Sequence, residues 1–293
     1  MSKNSKVGVR KMTAQIIDGK RIAEDLRASL AQKIVSETIK PHLAVVLVGN
    51  DPASLIYDRN KQKAAQAMGM DCNIHHLPEE TTQAELLALV DVLNADPKVN
   101  GIIVQMPLPK HIDPSAVIKA IAHEKDVDGF GPYNAGLLHE NDPQAMIAAT
   151  PKGILHLLKC TLGDLSGKHA VIIGRSNIVG RPLASLLLNN NCTVTVTHTK
   201  TVDLPSICRQ ADILVAACGR AKMVKQDWVK DGATVIDVGM NRDEGKLCGD
   251  VDFDEVKEKA AYITPVPGGV GPMTIAMLLD NTYEAFLRQN IKK

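Results

Sequence analysis

Aromatic side chains are scarce in this chain, which has three Phe, four Tyr and one Trp among 293 residues. Ala, Val, Ile and Leu are abundant instead, as in an α/β protein with buried parallel strands. Charge of one sign is lacking too: Lys and Arg number 34 against 33 for Asp and Glu. Without a basic excess the chain does not read as a nucleic-acid binder. No apolar run approaches the roughly 20 residues needed to span a bilayer, so no membrane partner is expected. The six cysteines form no C-x-x-C pair and the nine histidines no H-E-x-x-H motif. Neither a metal site nor a disulfide framework is expected, and reduced thiols in a cytoplasmic protein are the simpler reading. The first eleven residues are polar and basic, without the apolar stretch of a secretory signal. They read as an extension or cloning remnant, with Met12 as a natural start.

What is present is an alternation of helix and strand patterns. Ile22, Leu26, Leu30 and Ile34 recur at every fourth position, one face of an amphipathic helix. "HLAVVLVG" (42–49) is a β-branched run ending in glycine, a buried strand. Asp51-Pro52 supplies an N-cap and a first-turn proline for a helix reaching about Met70. The short strand "CNIHHL", a helix carrying Leu86, Leu87, Val90 and Leu93, and the strand "GIIVQMPLP" follow. Such alternation marks a mostly parallel α/β layer. Residues 126–150 are rich in Gly, Pro, Asn and Asp without a period, and read as an irregular connection between two domains. Thr150-Pro151 is expected to cap the next helix. A second α/β unit runs from Lys168 to roughly Pro272, and a last amphipathic helix closes the chain.

The second unit opens with "KHAVIIGRSNIVGRPLASLLLNNNCTVTVTH", a strand, a Gly-containing turn, a helix and another strand. Gly174 ends the strand and Gly180 opens the helix, whose N-terminus offers free N–H groups to an anion. The spacing is G-x-S-x-x-x-G rather than G-x-G-x-x-G, so the context carries more weight than the motif. A site for NAD usually has Asp or Glu after the second strand; here Thr197, His198, Thr199 and Lys200 follow instead. Arg175 in the first turn suits a 2′-phosphate, which favours NADP. The strands "ADILVAACG" and "ATVIDVG" end at Gly219 and Gly239, as strands do where a cofactor crosses their carboxyl ends. "YITPVPGGVGPMT" (262–274) is a stiff loop, poor in side chains, that a planar ligand could approach closely.

Tyr57 and Lys61, in "YDRNK", lie four apart and so share one helix face. Tyr-x-x-x-Lys is also the catalytic signature of the short-chain dehydrogenases, where it follows the Gly-rich turn. Here it precedes Gly174 by more than a hundred residues, so that assignment fails. Taken together and in order, "DPASLIYDRNK", "VQMPLP", "KDVDGF", "GRSNIVGRP", "VIDVGMN" and "TPVPGGVGPMT" resemble the signatures of the bifunctional methylenetetrahydrofolate dehydrogenase/methenyltetrahydrofolate cyclohydrolases. The likeness covers the chain from about Met12 to Lys293. Two alternatives are a shikimate-dehydrogenase-like oxidoreductase and a folate- or nucleotide-binding module without catalysis.

The resemblance implies an α/β fold of two domains with a cleft between them. Residues 12–149 with 274–293 would form the folate-binding catalytic domain, and 150–273 a Rossmann-like, doubly wound NADP-binding domain. It implies tetrahydrofolate derivatives as substrates and a homodimer through the nucleotide domain. Lys61 would be the central catalytic group, oriented by Gln105, with Tyr57 stacked near the pterin, Asp128 holding its ring and Ser54 close by. Pro267, Gly268 and Gly269 would meet substrate. Gly174, Arg175, Ser176, Thr199, Gly219, Gly239, Gly271 and Pro272 would serve the cofactor. Asp128 also has a plainer reading as a turn residue before Gly129. Hydride transfer needs alignment, whereas hydrolysis of the methenyl product needs a proton carrier, a task open to lysine. The uncharged Gln105 is expected to steer the amine without locking it in an ion pair.

Overall fold

The computed structural model describes residues 13–291; the eleven-residue extension lies outside the described residues. In chain order the elements are β1 (Gln15–Ile16), α1 (Gly19–Val35), β2 (His42–Val48), α2 (Pro52–Ala67), β3 (Asp71–Leu77), α3 (Gln83–Ala95), β4 (Gly101–Val104), α4 (Pro114–Ala120), α5 (Pro132–His139) and α6 (Ala149–Leu162). Then come β5 (His169–Ile173), α7 (Gly180–Leu188), β6 (Thr193–Thr197), α8 (Leu204–Cys208), β7 (Ile213–Ala216), β8 (Thr234–Asp237), β9 (Asn241–Asp243), β10 (Lys246–Cys248), α9 (Phe253–Val256), β11 (Tyr262–Ile263) and α10 (Val270–Ile291).

Two parallel sheets result. The first has the order β3-β2-β4 and the second β1-β11-β8-β7-β5-β6, with β9 and β10 a separate antiparallel hairpin. The apolar run 43–48 fills the middle strand of the first sheet and is at most 5% exposed, because helices cover both faces of a parallel layer. In the second sheet, Ile173 pairs with both Thr197 and Ala216, and Ala216 with Asp237. The carboxyl ends of β6, β5, β7 and β8 therefore stop in one row. Whatever leaves these strands next faces a single edge, where open α/β sheets bind ligands.

Four features differ from the sequence reading. Residues 15–16, assigned with the first domain, pair with β11 at the edge of the second sheet. The chain then turns into α1 directly against the Pro-Gly-Gly loop: Lys20 N–H donates to Gly268 O at 2.9 Å. A Cβ on Gly19 would lie 1.9 Å from Gly269 O, so only glycine allows this approach. Second, the irregular stretch 126–150 contains the eight-residue helix α5. No periodicity announces it, because a buried carboxylate holds it: Asp126 accepts from Gly131 N–H at 2.8 Å and from Asn134 Nδ2 at 2.9 Å.

Third, α6 begins after Ala148 without a side-chain cap. The Thr150 hydroxyl instead meets that of Thr274 at 2.9 Å, tying α6 to α10. Fourth, α10 starts at Val270, so Gly271 and Pro272 belong to its first turn rather than to a loop. Proline is tolerated there because first-turn N–H groups lack helical partners anyway. The helix packs on α1, α6 and β4, and Asn281 donates to Val127 O at 2.9 Å and Ile147 O at 2.8 Å.

Candidate functional site

A cleft of about 960 Å³ lies between the two sheets. Tyr57, Gln105, Met106 and Pro107 line its first-domain wall, Gly239 and Met240 the opposite wall, and Pro267 to Pro272 its end. Elements of both layers build it: α2 carries Tyr57, β4 delivers Gln105, and β8 delivers Gly239. The peptide bonds before Pro107 and Pro267 are both cis.

Beneath Tyr57 lies a buried lysine. Lys61 is 4% exposed, and its Nζ donates to Gln105 Oε1 at 2.6 Å and to Asp58 Oδ1 at 3.1 Å. The ammonium also sits 4.7 Å from the centre of the Tyr57 ring, within cation–π range. Gln105 is itself oriented, because its Nε2 donates to Met106 O at 2.6 Å. Gln105 meets the amine as expected, but an ion pair is present as well, with a partner that the sequence reading did not name: the buried carboxylate of Asp58. Among the described residues these two contacts occupy two of its three N–H donors.

Three acidic groups feel this burial. Asp128 keeps part of its surface open, but burial pushes its carboxyl up to about 7, with Lys61 opposing and Asp126 and Asp58 adding to the rise. Burial also raises Asp58, again against Lys61. The Tyr57 hydroxyl is pushed up to about 12 by burial first, then by Asp128 and Asp58. Tyr57, Asp58, Lys61, Gln105 and Asp128 thus form one electrostatic cluster. Ser54 lies in the first turn of α2, and its side chain lies outside the described residues.

The expected nucleotide residues gather at the carboxyl row of the second sheet. Arg175 and Thr199 each lie two residues beyond the paired Ile173 and Thr197, and both are exposed. Gly174 has φ of +129°, and a Cβ there would lie 2.2 Å from Ala217 O, so the turn requires glycine. Ser176 Oγ accepts from Val179 N–H at 3.1 Å, so this hydroxyl braces the start of α7. Gly219 follows β7 with φ of +66° and open space around it. Arg175, Ser176, Thr199, Gly174 and Gly219 lie outside the lining of the central cleft, whereas Gly239, Gly271 and Pro272 belong to it.

Two carboxylates missed by the sequence reading hold this edge together. Asp250 is fully buried. It accepts from Cys218 N–H at 2.7 Å, Gly219 N–H at 3.0 Å, Arg220 N–H at 2.8 Å and Asn241 Nδ2 at 2.9 Å. Asp237 accepts from Gly239 N–H at 3.0 Å, Asp250 N–H at 2.9 Å and Val251 N–H at 2.9 Å. Burial still lifts Asp237 to about 6, against those three donors. Among the described residues no group of three or more His, Cys, Asp or Glu side chains is arranged to hold a metal ion, and no helix is long and apolar enough to cross a membrane.

Comparison with known proteins assigns this arrangement. Residues 17–128 match the family described as tetrahydrofolate dehydrogenase/cyclohydrolase, catalytic domain, and residues 148–290 match its NAD(P)-binding domain. The chain belongs to the tetrahydrofolate dehydrogenase/cyclohydrolase family. The bifunctional protein FolD of Parvibaculum lavamentivorans is 58% identical, over 95% of this chain and 97% of the relative. The crystal structure of the bifunctional FolD methylenetetrahydrofolate dehydrogenase/cyclohydrolase of Campylobacter jejuni superposes with a TM-score of 0.92 at 49% identity, over 94% of this chain and 99% of the other. The Trypanosoma brucei enzyme, solved with NADP cofactor and inhibitor, gives a TM-score of 0.91 at 39% identity, over 96% and 99%. As a member of this tetrahydrofolate dehydrogenase/cyclohydrolase family the chain is an enzyme, and neither the shikimate-type alternative nor the non-catalytic one stands.

Asp58 was within reach of sequence reasoning. Asp58, Lys61, Ala65 and Met68 follow the spacing of one helix face and are all buried, at 1%, 4%, 0% and 4% exposure. A charge pair on an apolar stripe is the signal. Asp237 and Asp250 gave none, since their partners are mostly backbone groups distant in sequence.

Proposed function

We propose that this chain oxidises 5,10-methylenetetrahydrofolate with NADP and hydrolyses the resulting 5,10-methenyl compound to 10-formyltetrahydrofolate, both in the one cleft. The observation that carries this reading is the buried Lys61 amine, held by Gln105 and Asp58 behind the Tyr57 ring, with Tyr57 and Gln105 themselves lining the cleft.

The residues at the sheet edge fit NADP. Gly174 and Gly219 keep the edge clear of side chains, and Arg175 supplies an exposed cation beside the start of α7. Arg175, Ser176 and Thr199 would hold the 2′-phosphate side, and Gly239, Gly271 and Pro272 the part reaching the cleft. Bound there, NADP would take up the hydride of the first step. The protein's part in that step is alignment: Tyr57 offers a face to the pterin, and the 267–269 loop closes the opposite side. Asp128 accepts the pterin's N–H donors.

The second step needs proton transfer. Water adds to the methenyl carbon and loses a proton to Lys61. The bond from that carbon to N5 then breaks, N5 takes a proton from Lys61, and the hydroxyl gives up its own as the formyl group forms. One proton is released to solvent overall. We further propose a homodimer through the second sheet, where β6 leaves an open edge. A cytoplasmic setting fits six free thiols.

Two outcomes test the binding residues. Arg175→Ala should weaken NADP by about 10- to 100-fold, the worth of a charge-assisted hydrogen bond of roughly 1.5–3 kcal/mol, and leave NAD unchanged. Equal loss for both cofactors in a titration removes Arg175 from the 2′-phosphate. For Asp128, pterin binding prefers the carboxylate, so binding lowers its pKa from about 7. Folate affinity should then fall as pH drops below about 7, by up to roughly tenfold per unit. Calorimetry on wild type and Asp128→Asn should find this slope in the first and not in the second; the same slope in both excludes Asp128.

A further inference from the structure

The Asp58 contact creates a chemical difficulty for the reading above, on which this inference rests. A lysine paired with a buried carboxylate is held as an ammonium, and an ammonium cannot accept water's proton. The geometry also contains the way out. Asp58 is 1% exposed, its Oδ1 lies 3.1 Å from Lys61 Nζ, and its Oδ2 is buried without a hydrogen-bond partner among the described residues. A carboxylate oxygen stripped of water and left unpaired favours taking up a proton.

We propose that Asp58 is the positioning residue of the hydrolytic step, sharing one proton with Lys61 across their contact so that the pair acts as the acid–base unit. Asp58 touches Lys61, not the reacting atoms. As water's oxygen bonds to the methenyl carbon, its proton passes to Lys61 Nζ while a lysine proton passes to Asp58 Oδ1. On ring opening the carbon–N5 bond breaks, N5 takes a proton from Lys61, and Asp58 returns its proton to the amine. The hydroxyl proton leaves through the pair to solvent, which restores the starting state.

The titratable neighbours of the pair come from three places. Tyr57 stands on the same helix and stays neutral, with a pKa of about 12. Cys72 on β3 is neutral too, pushed up to about 11 mainly by burial. Asp128, with Asp126 near it, faces the pair from the segment after α4, its carboxyl pushed up to about 7 mainly by burial. Asp58 is the acidic group in direct contact with the amine.

A shared proton has a distinct signature. The singly protonated pair is competent as a base, so activity fails on the acid side only when the pair takes a second proton. In Asp58→Asn the lone lysine must lose its own proton first. The acid limb of methenyl hydrolysis should therefore move up by about one pH unit or more, because it then marks loss of the lysine's own proton rather than uptake of a second proton by the pair, and the rate below the limb should fall about tenfold per unit. The profile of NADPH formation should stay where it is. Asp58→Val, an apolar residue for a buried position, repeats the test should the asparagine variant fold poorly.

An unmoved limb, a limb that moves down, or equal movement in both activities overturns the shared proton. A downward shift would mean that Asp58 only stabilises the ammonium. Lys61→Met, run alongside, separates the two ideas. If it keeps methenyl hydrolysis, the proposed role of Lys61 fails; if it loses that activity while Asp58→Asn keeps the wild-type profile, only the inference about Asp58 fails.

Discussion

Lys61→Met should slow hydrolysis of supplied 5,10-methenyltetrahydrofolate by about 10²- to 10⁴-fold, the usual worth of a positioned acid–base group. NADPH formation from 5,10-methylenetetrahydrofolate should fall far less, because the Tyr57 face and the Gly268–Gly269 loop remain to align the reactants. Methionine matches the lysine side chain out to the ε-carbon, with sulfur in place of the δ-carbon, and removes the amine. It leaves Asp58 buried without its cation, a loss that can reach about 3–5 kcal/mol when a charge stays unpaired. Asp58 has an exit, since burial already raises its pKa, and it can become neutral. The variant is therefore expected to fold, less stably, with stability that falls as pH rises above the ordinary carboxylate range, because a carboxyl raised by burial must then ionise. Stopped-flow traces of the two reactions decide the matter, and a variant that retains both rates removes Lys61 from the chemistry.

The second large effect concerns stability of the nucleotide edge. Asp250→Ala orphans four donors at once: the backbone N–H groups of Cys218, Gly219 and Arg220, and Asn241 Nδ2. A buried donor left unpaired costs about 1–3 kcal/mol. Gly219 and Arg220 are exposed, so water can serve some of these groups, and a total loss of about 3–5 kcal/mol is expected. Asp250→Asn keeps the shape but loses acceptor capacity and should fall between. Urea unfolding measures the stability, and NADP should weaken more than folate because the turns after β7 and β8 lose their common anchor. A loss under about 1 kcal/mol with unchanged NADP binding would show that the Asp250 contacts are dispensable.

Much of this architecture was legible because it depends on local patterns. The β-branched runs of β2, β5 and β7 and the four-residue spacing in α1 each identify their element without tertiary context. Tyr57, Lys61 and Gln105 were legible through their motifs, and the structure brings all three together. What escaped depends on contacts between distant segments. The helix α5 relies on Asp126 rather than on periodicity. Gln15 and Ile16 look like a short tail until Tyr262 and Ile263 are placed beside them. Asp250 reads as an ordinary turn acid until three backbone donors from around residue 219 converge on it. Asp58 is the instructive case, because its burial was readable from helix spacing, yet a charged residue beside Tyr57 and Lys61 invites being read as surface.

The claim that both reactions use one cleft is tested most directly by a single ligand. A non-reactive tetrahydrofolate analogue should be titrated against NADPH formation and against methenyl hydrolysis on the wild-type enzyme, at one pH and salt concentration. A shared cleft gives one inhibition constant for both activities, and saturation abolishes both together. Two different constants, or one activity persisting when the other is fully blocked, would contradict a shared site and separate the Lys61 cluster from the hydride-transfer step.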